Sequence, residues 1–295
     1  MHEALVELAN VSLARQDAEA ALAYVNQLEE VSPPSSLIET FRARAYLRQG
    51  QDKLALVAVE RANRLDITSL EVYKLWGKIL QANERYADSL EPLKTYFTYI
   101  EDDPEAEILL AKAHSAAGDL GLALETVNKA LSADSKMISA LILRGEIYLQ
   151  QGDLELAKKD YNNALLLDPR SFDANIGRAR VSLLDDYPGL AFEYVQEAQK
   201  NAANARQEAV GLYWSGVSLI RLGEINPAIR DLEAVLAMPE EDVSDGLREM
   251  VLEAYLPLIT PTPSLTPSKT PVPSVTPTPG KSPTLTRTPT RAPTP

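Results

Sequence analysis

The sequence contains no cysteine and two histidines, His2 and His114. Disulfides and thiolate chemistry are therefore excluded, although the compartment stays undecided. No His/Cys/Asp cluster has metal-ligand spacing, and no glycine-rich phosphate loop occurs. No apolar run is long enough to span a bilayer, which takes about 18 residues or more. The N-terminus lacks the basic start of a signal peptide, since His2 and Glu3 stand there. Acidic pairs at 29–30, 102–103, 185–186 and 240–241 fall in turns or at helix ends, where carboxylates are solvated. No catalytic, cofactor-binding or metal-binding residue is assigned, and the expectation is a non-enzyme. Positive charge is also short, with 29 Lys and Arg against 42 Asp and Glu and a net charge of −13. Four of those cations, Lys269, Lys281, Arg287 and Arg291, lie in a C-terminal stretch without a single acid. Setting those four aside leaves −17 for residues 1–257. Phosphate contacts dominate nucleic-acid affinity, so no nucleic-acid partner is expected.

What is present is a pattern, clearest in residues 138–171. Leu141, Gly145 and Tyr148 lie three to four residues apart, on one face of a helix. Gly152 and Asp153 break the periodicity, and Asp153 is a candidate N-cap for a second helix. Ala157, Tyr161 and Ala164 form the stripe of that helix, which Asp168 and Pro169 end. The unit is a helix, a tight turn and an antiparallel helix. Gly145 and Ala157 mark close approach, and Tyr148 and Tyr161 fill the wider gaps.

The pattern resembles the tetratricopeptide repeat, with Gly145, Tyr148, Gly152, Ala157, Tyr161, Ala164 and Pro169 on its signature positions. Steps of 34 back from Gly145 reach Ala111, Gly77, Ala43 and Ala9, all small. Steps back from Ala157 reach Ala123, Ser89, Ala55 and Ala21; forward steps reach Ala179 and Ala191. The turn position reads Gln16, Gly50, Glu84, Gly118, Gly152 and Asp186. Another small position reads Leu28, Ala62, Tyr96, Ala130, Ala164 and Ala198, with Tyr96 the departure. A seventh unit fits through Gly216, Gly223 and Ala228 if residues 206–208 are an insertion. The repeats then span 2–35, 36–69, 70–103, 104–137, 138–171, 172–205 and 209–242, with a capping helix over 242–256. Asp242 or Ser244 is its candidate N-cap. The resemblance implies an all-α, right-handed superhelical solenoid of antiparallel helix pairs, forming one domain over 1–257. Inside repeat three, Pro92 predicts a kink, or a helix starting late with Asp88 as N-cap.

The resemblance further implies that first helices line a concave groove taking a protein or peptide. One groove position reads Asn10, Arg44, Lys78, Lys112, Glu146, Arg180 and Val217; neighbouring ones add Lys74, Arg48 and Arg221. These form a basic ladder, with Glu3, Glu71, Glu105 and Asp173 as an acidic rim. The alternative is that they are ordinary solvated charges, some paired across repeats. The chaperone-tail clamp known in the family is incomplete here, because Val6 accompanies Asn10 and no three-repeat window supplies the rest. Tyr213 and Trp214 distinguish repeat seven, Trp214 as a partner anchor or as packing beneath the capping helix. His114 falls where Tyr46 and Tyr148 sit, as a packed spacer.

Residues 258–295 are dominated by Thr and Pro and predict a disordered tail or linker with polyproline-II bias. Such tracts resemble spacers of bacterial surface proteins and O-glycosylated stalks. The functional expectation is a non-catalytic interaction scaffold, its groove suited to an acidic segment, with self-association left open. Alternatives are a structural or self-assembling cell-surface protein tethered through the tail, or the interaction arm of a larger enzyme or regulator. The array begins at residue 2 without a cover for its first helix, which fits either a fragment of a longer protein or a short array with a polar end. Location follows that choice: cytoplasmic for a complete chain, extracytoplasmic or cell-surface for a fragment.

Overall fold

The computed structural model describes residues 1–240 and 242–259; the Thr/Pro tail expectations lie outside the described residues. The described helices form one unit, Met1–Ile259. They come in pairs: α1 (His2–Ala14) with α2 (Ala18–Val31), α3 (Ser36–Arg48) with α4 (Asp52–Leu65), and α5 (Leu70–Ala82) with α6 (Leu90–Phe97). Next are α7 (Pro104–Ala116) with α8 (Leu120–Ala133), α9 (Ile138–Gln151) with α10 (Leu154–Leu167), and α11 (Phe172–Leu184) with α12 (Pro188–Lys200). The series closes with α13 (Ala205–Leu222), α14 (Ile225–Leu236) and a final α15 (Asp245–Ile259). Each helix packs on its chain neighbours, and first helices also touch the first helices of adjacent pairs. That is the arrangement of a solenoid, in which burial occurs between neighbours.

The core follows a simple volume rule. The small residue of each second helix, or just before it in repeat three (Ala21, Ala55, Ser89, Ala123, Ala157, Ala191, Ala228), is fully buried. Four residues further on stands a larger buried side chain, and it is matched to the small residue of the first helix. Ala9, Ala43, Ala111 and Ala179 accompany Val25, Val59, Val127 and Val195, whereas Gly77, Gly145 and Gly216 accompany Leu93, Tyr161 and Leu232. A Cβ at Gly77 would lie 2.6 Å from Leu93, at Gly145 3.0 Å from Tyr161, and at Gly216 2.8 Å from Leu232. The methyl group removed from one helix makes room for the bulk added on the other, which keeps packing dense. Tyr161 also needs space in the next repeat, where a Cβ at Gly177 would stand 2.2 Å from its ring.

All seven intra-pair turns use one left-handed residue: Gly50, Gly118, Gly152 and Gly223, but also Gln16, Glu84 and Asp186 at φ 64, 60 and 63°. A side chain in that conformation costs about 1–2 kcal/mol. Combining Gln16→Gly with Glu84→Gly is therefore expected to raise the thermal midpoint by a few degrees, checked by calorimetry. An unchanged or lower midpoint would contradict this reading of the turns.

Several local expectations change in detail. Asp153 occupies the N-cap of α10, but its side chain accepts no hydrogen bond from the backbone N–H groups of the first turn. Pro92 does delay its helix: a 3-10 turn at Ala87–Ser89 precedes α6, and Pro92 sits in the first turn of α6, where a missing N–H is harmless. Ser89, not Asp88, holds the N-cap position, since Asp88 lies within the preceding 3-10 turn, where its carboxylate accepts from Arg85 Nε at 2.7 Å. The last helix starts at Asp245 rather than 242, with Ser244 Oγ accepting from Leu247 N–H at 3.2 Å. It runs through Pro257 to Ile259, since a proline so near the end interrupts little of the remaining ladder. The insertion at 206–208 lengthens α13 to 18 residues.

Candidate binding groove

First helices supply most of the lining of one cavity. Between α1, α3 and α5 lies a cavity of about 900 Å³ with a floor of Leu13, Leu47, Leu75 and Ile100. Arg44, Arg48, Lys74 and Lys78 stand around it with Asn10, Glu71 and Glu105. Most of the sequence-predicted cations thus meet at one place. Lys112 and Arg180 line a second hollow further along, with Glu146, Asp173 and Arg206.

The ladder does not stand free. Arg44 pairs with Glu71, and Lys78 with Glu105 at 3.3 Å. Both pairs join a cation to the acid 27 residues later, at the start of the following repeat. Lys74 bridges Asp103 at 2.8 Å and Glu105 at 3.1 Å, and Tyr96 donates to the same Asp103 at 2.7 Å. Burial opposes the charge on Lys74, but the two carboxylates outweigh it and raise its pKa. The hydrogen bond from Lys74 lowers that of Glu105. Arg44 is lowered by burial and then by Arg48 beside it. The acidic rim and basic ladder are therefore largely one set of cross-repeat ion pairs.

Repeat five breaks the rule. Ser139 stands 27 residues after Lys112, where an acid would be, and Glu146 replaces the cation. Arg180 of the next repeat pairs with Glu146, and Tyr161 donates to that carboxylate at 3.2 Å. Lys112 acts on Asp173, whose carboxyl is nonetheless raised because the surrounding protein strips its solvation, although the side chain still meets water.

Tyr213 and Trp214 touch edge to face, ring centres 5.0 Å apart, yet pack on different neighbours. Tyr213 lies in the cluster formed with Leu247 and Val251 of the last helix. Trp214 instead packs back on repeat six, against Ala179, Leu183 and Val195, with the Arg180 guanidinium 5.6 Å from its ring centre. It falls in the repeat-six clusters rather than beneath the capping helix, since one step along α13 turns the side chain by about 100°. His114 is buried against its neighbours, and burial lowers its pKa. The sequence reading missed the leucine floor and Tyr96, whose departure from the small residues of its repeat position was the available signal. Among the described residues, no group of three His, Cys, Asp or Glu could hold a metal ion, and no helix is long and apolar enough to cross a membrane.

An all-α solenoid of packed helix pairs is an architecture of protein-interaction scaffolds. Residues 138–171 match the tetratricopeptide repeat family model, and the chain folds as a tetratricopeptide-repeat solenoid. It is similar to a tetratricopeptide repeat protein from Parabacteroides merdae (14% identity, TM-score 0.68, covering 86% of this chain and 98% of that one). A thermophilic repeat protein from Thermus thermophilus shows 19% identity and a TM-score of 0.56 over 64% of this chain and 100% of its own. The human IFIT1 dimer with PPP-AAAA shows 17% and 0.61 over 80% and 60%. At these identities the likeness is one of fold. No curated protein sequence matches the chain.

Proposed function

We propose that this protein is a non-catalytic scaffold whose concave wall holds an extended protein segment, with an apolar side chain on the leucine floor and acidic groups beside it. The carrying observation is the cavity between α1, α3 and α5, where four cations and two carboxylates surround Leu13, Leu47, Leu75 and Ile100. The strongly acidic remainder favours a protein over a nucleic acid as the partner. Because Arg44, Lys74 and Lys78 already hold carboxylates, an incoming acid exchanges partners. Each exchange gains about 0–1 kcal/mol, so the apolar anchor must supply much of the affinity.

Peptide display on the intact protein tests this. Selection is expected to enrich Asp and Glu around a Leu, Ile or Phe. Arg44→Glu, Lys78→Glu and Lys112→Glu together should abolish binding of the selected peptides while the circular dichroism stays helical. Glu71→Gln with Glu105→Gln frees the cations and should tighten binding about three- to tenfold. Selected peptides that bind the reversed triple variant as well as the parent would defeat the proposal.

A further inference from the structure

Arg206 lies in the insertion that lengthens α13, and it makes a contact far longer in sequence than those of the repeat ladder. Its Nη1 lies 2.9 Å from Asp52 Oδ2, joining positions 154 residues apart. Asp52 opens α4 of repeat two and is buried. Its carbonyl accepts from Asn83 Nδ2 at 2.8 Å, so repeat three is tied to the same point. Tyr86 of repeat three completes the edge: burial raises its phenol, Glu84 and Asp173 add to that, and Arg206 opposes it. The intra-pair turns of repeats two and three therefore face the junction of repeats six and seven.

That meeting has no packed core. Among the described residues, no helix of repeats two and three packs on a helix of repeats six and seven. Side chains alone bridge the gap, and Arg206 lines both the hollow at this junction and the one containing Lys112 and Arg180.

We propose that Arg206 and Asp52 form a latch closing the coil on itself, so that a segment reaches the inner wall by way of a latch-open state. The access role rests on the groove reading; the latch itself does not. Arg206 is half-exposed although Asp52 is buried, and water on the arginine side weakens the pair, so the closed form outweighs the open one by a modest ratio and added salt shifts the balance. The three-residue insertion is explained in the same terms. It adds almost a turn to the N-terminal end of α13, which carries Arg206.

Since the chain has no cysteine, Lys53→Cys with Glu208→Cys places two spin labels uniquely, on exposed positions of the facing edges. Pulsed dipolar spectroscopy without any peptide should give a short, narrow distance distribution at low salt. At about 1 M salt, where screening reaches about 3 Å, a longer component should grow. Arg206→Gln should show that component already at low salt, and Arg206→Lys should keep the short one. Distributions insensitive to both salt and Arg206→Gln would overturn the latch. Access is read separately, from stopped-flow association of a synthetic Glu-Leu-Glu-Leu-Glu peptide. Arg206→Gln removes a cation, which alone would slow an acidic peptide, so acceleration of about threefold or more must come from a larger open fraction. Unchanged or slower association overturns the access role, and an altered distance distribution would then leave the latch standing. If this peptide fails to bind the parent protein, the groove reading and the access role fall together while the distance result still decides the latch.

Discussion

Gly177→Ala is expected to be among the most damaging single-methyl changes available in this chain. The new Cβ would sit 2.2 Å from Cε1 of Tyr161 and 2.4 Å from Cζ. The ring has nowhere to go, because Tyr161 is fully buried and a Cβ at Gly145 would already approach it to 3.0 Å on another side. Overpacking of this kind costs about 1–3 kcal/mol and more where nothing yields; about 3 kcal/mol or above is expected here. The control is a double-mutant cycle with Tyr161→Val, which substitutes the valine found at this position in four other repeats. Tyr161→Val alone leaves a cavity and destabilises by about 2–4 kcal/mol. Gly177→Ala should add little in that background, giving a coupling energy of about 2 kcal/mol or more by denaturant titration. Additive effects would mean that Gly177 is not glycine because of Tyr161.

The second large effect concerns Arg144. Its guanidinium grips Asp160 with two bonds, Nε to Oδ2 at 2.7 Å and Nη2 to Oδ1 at 2.8 Å, while Nη1 donates to Asn128 Oδ1 at 2.8 Å. One side chain of α9 thus joins α10 to α8 of the preceding repeat. Asp160 is almost wholly buried, and Arg144→Leu would strand its charge. Removing one partner of such a pair costs about 3–5 kcal/mol. Adding Asp160→Leu should recover most of that loss, since replacing a buried pair by apolar groups is often neutral. If Arg144→Leu lowers stability by less than about 1 kcal/mol in urea titration, Asp160 has another route to solvent or to a donor.

The repeat architecture was legible because its determinants are local. Gly145, Gly152 and Ala157 lie within 13 residues of one another, and their chemistry recurs at a fixed step. The matching of Gly with Leu or Tyr, and of Ala with Val, lies 16 residues apart inside each unit; it was there to be read, but only facing helices give it meaning. The cations of the groove were found by position, whereas their neutralisation by Glu71 and Glu105 required knowing which first helices stand side by side. Asp52 and Arg206 could not have been joined, because nothing in a nearest-neighbour pattern predicts where a coil returns to itself. Trp214 was misplaced for a similar reason: a helix with partners on both sides gives no periodic sign of which one receives each ring.

The Arg44–Glu71 and Lys78–Glu105 pairs share one spacing, and this bears on how such a chain can change its length. Loss of residues 70–103 by unequal recombination would remove Glu71 and Lys78 together and set Arg44 beside Glu105. Duplication of the same unit would add one complete pair and orphan nothing. Either event leaves the groove wall in charge balance at the moment it happens, before any point mutation can correct it. Repeat five lacks this freedom, because Glu146 pairs with Arg180 of the next unit and the charge of Lys112 is felt by Asp173 two units on. Natural copy-number variants of this array should therefore gain or lose units around repeat three and keep repeats four to six as an indivisible block.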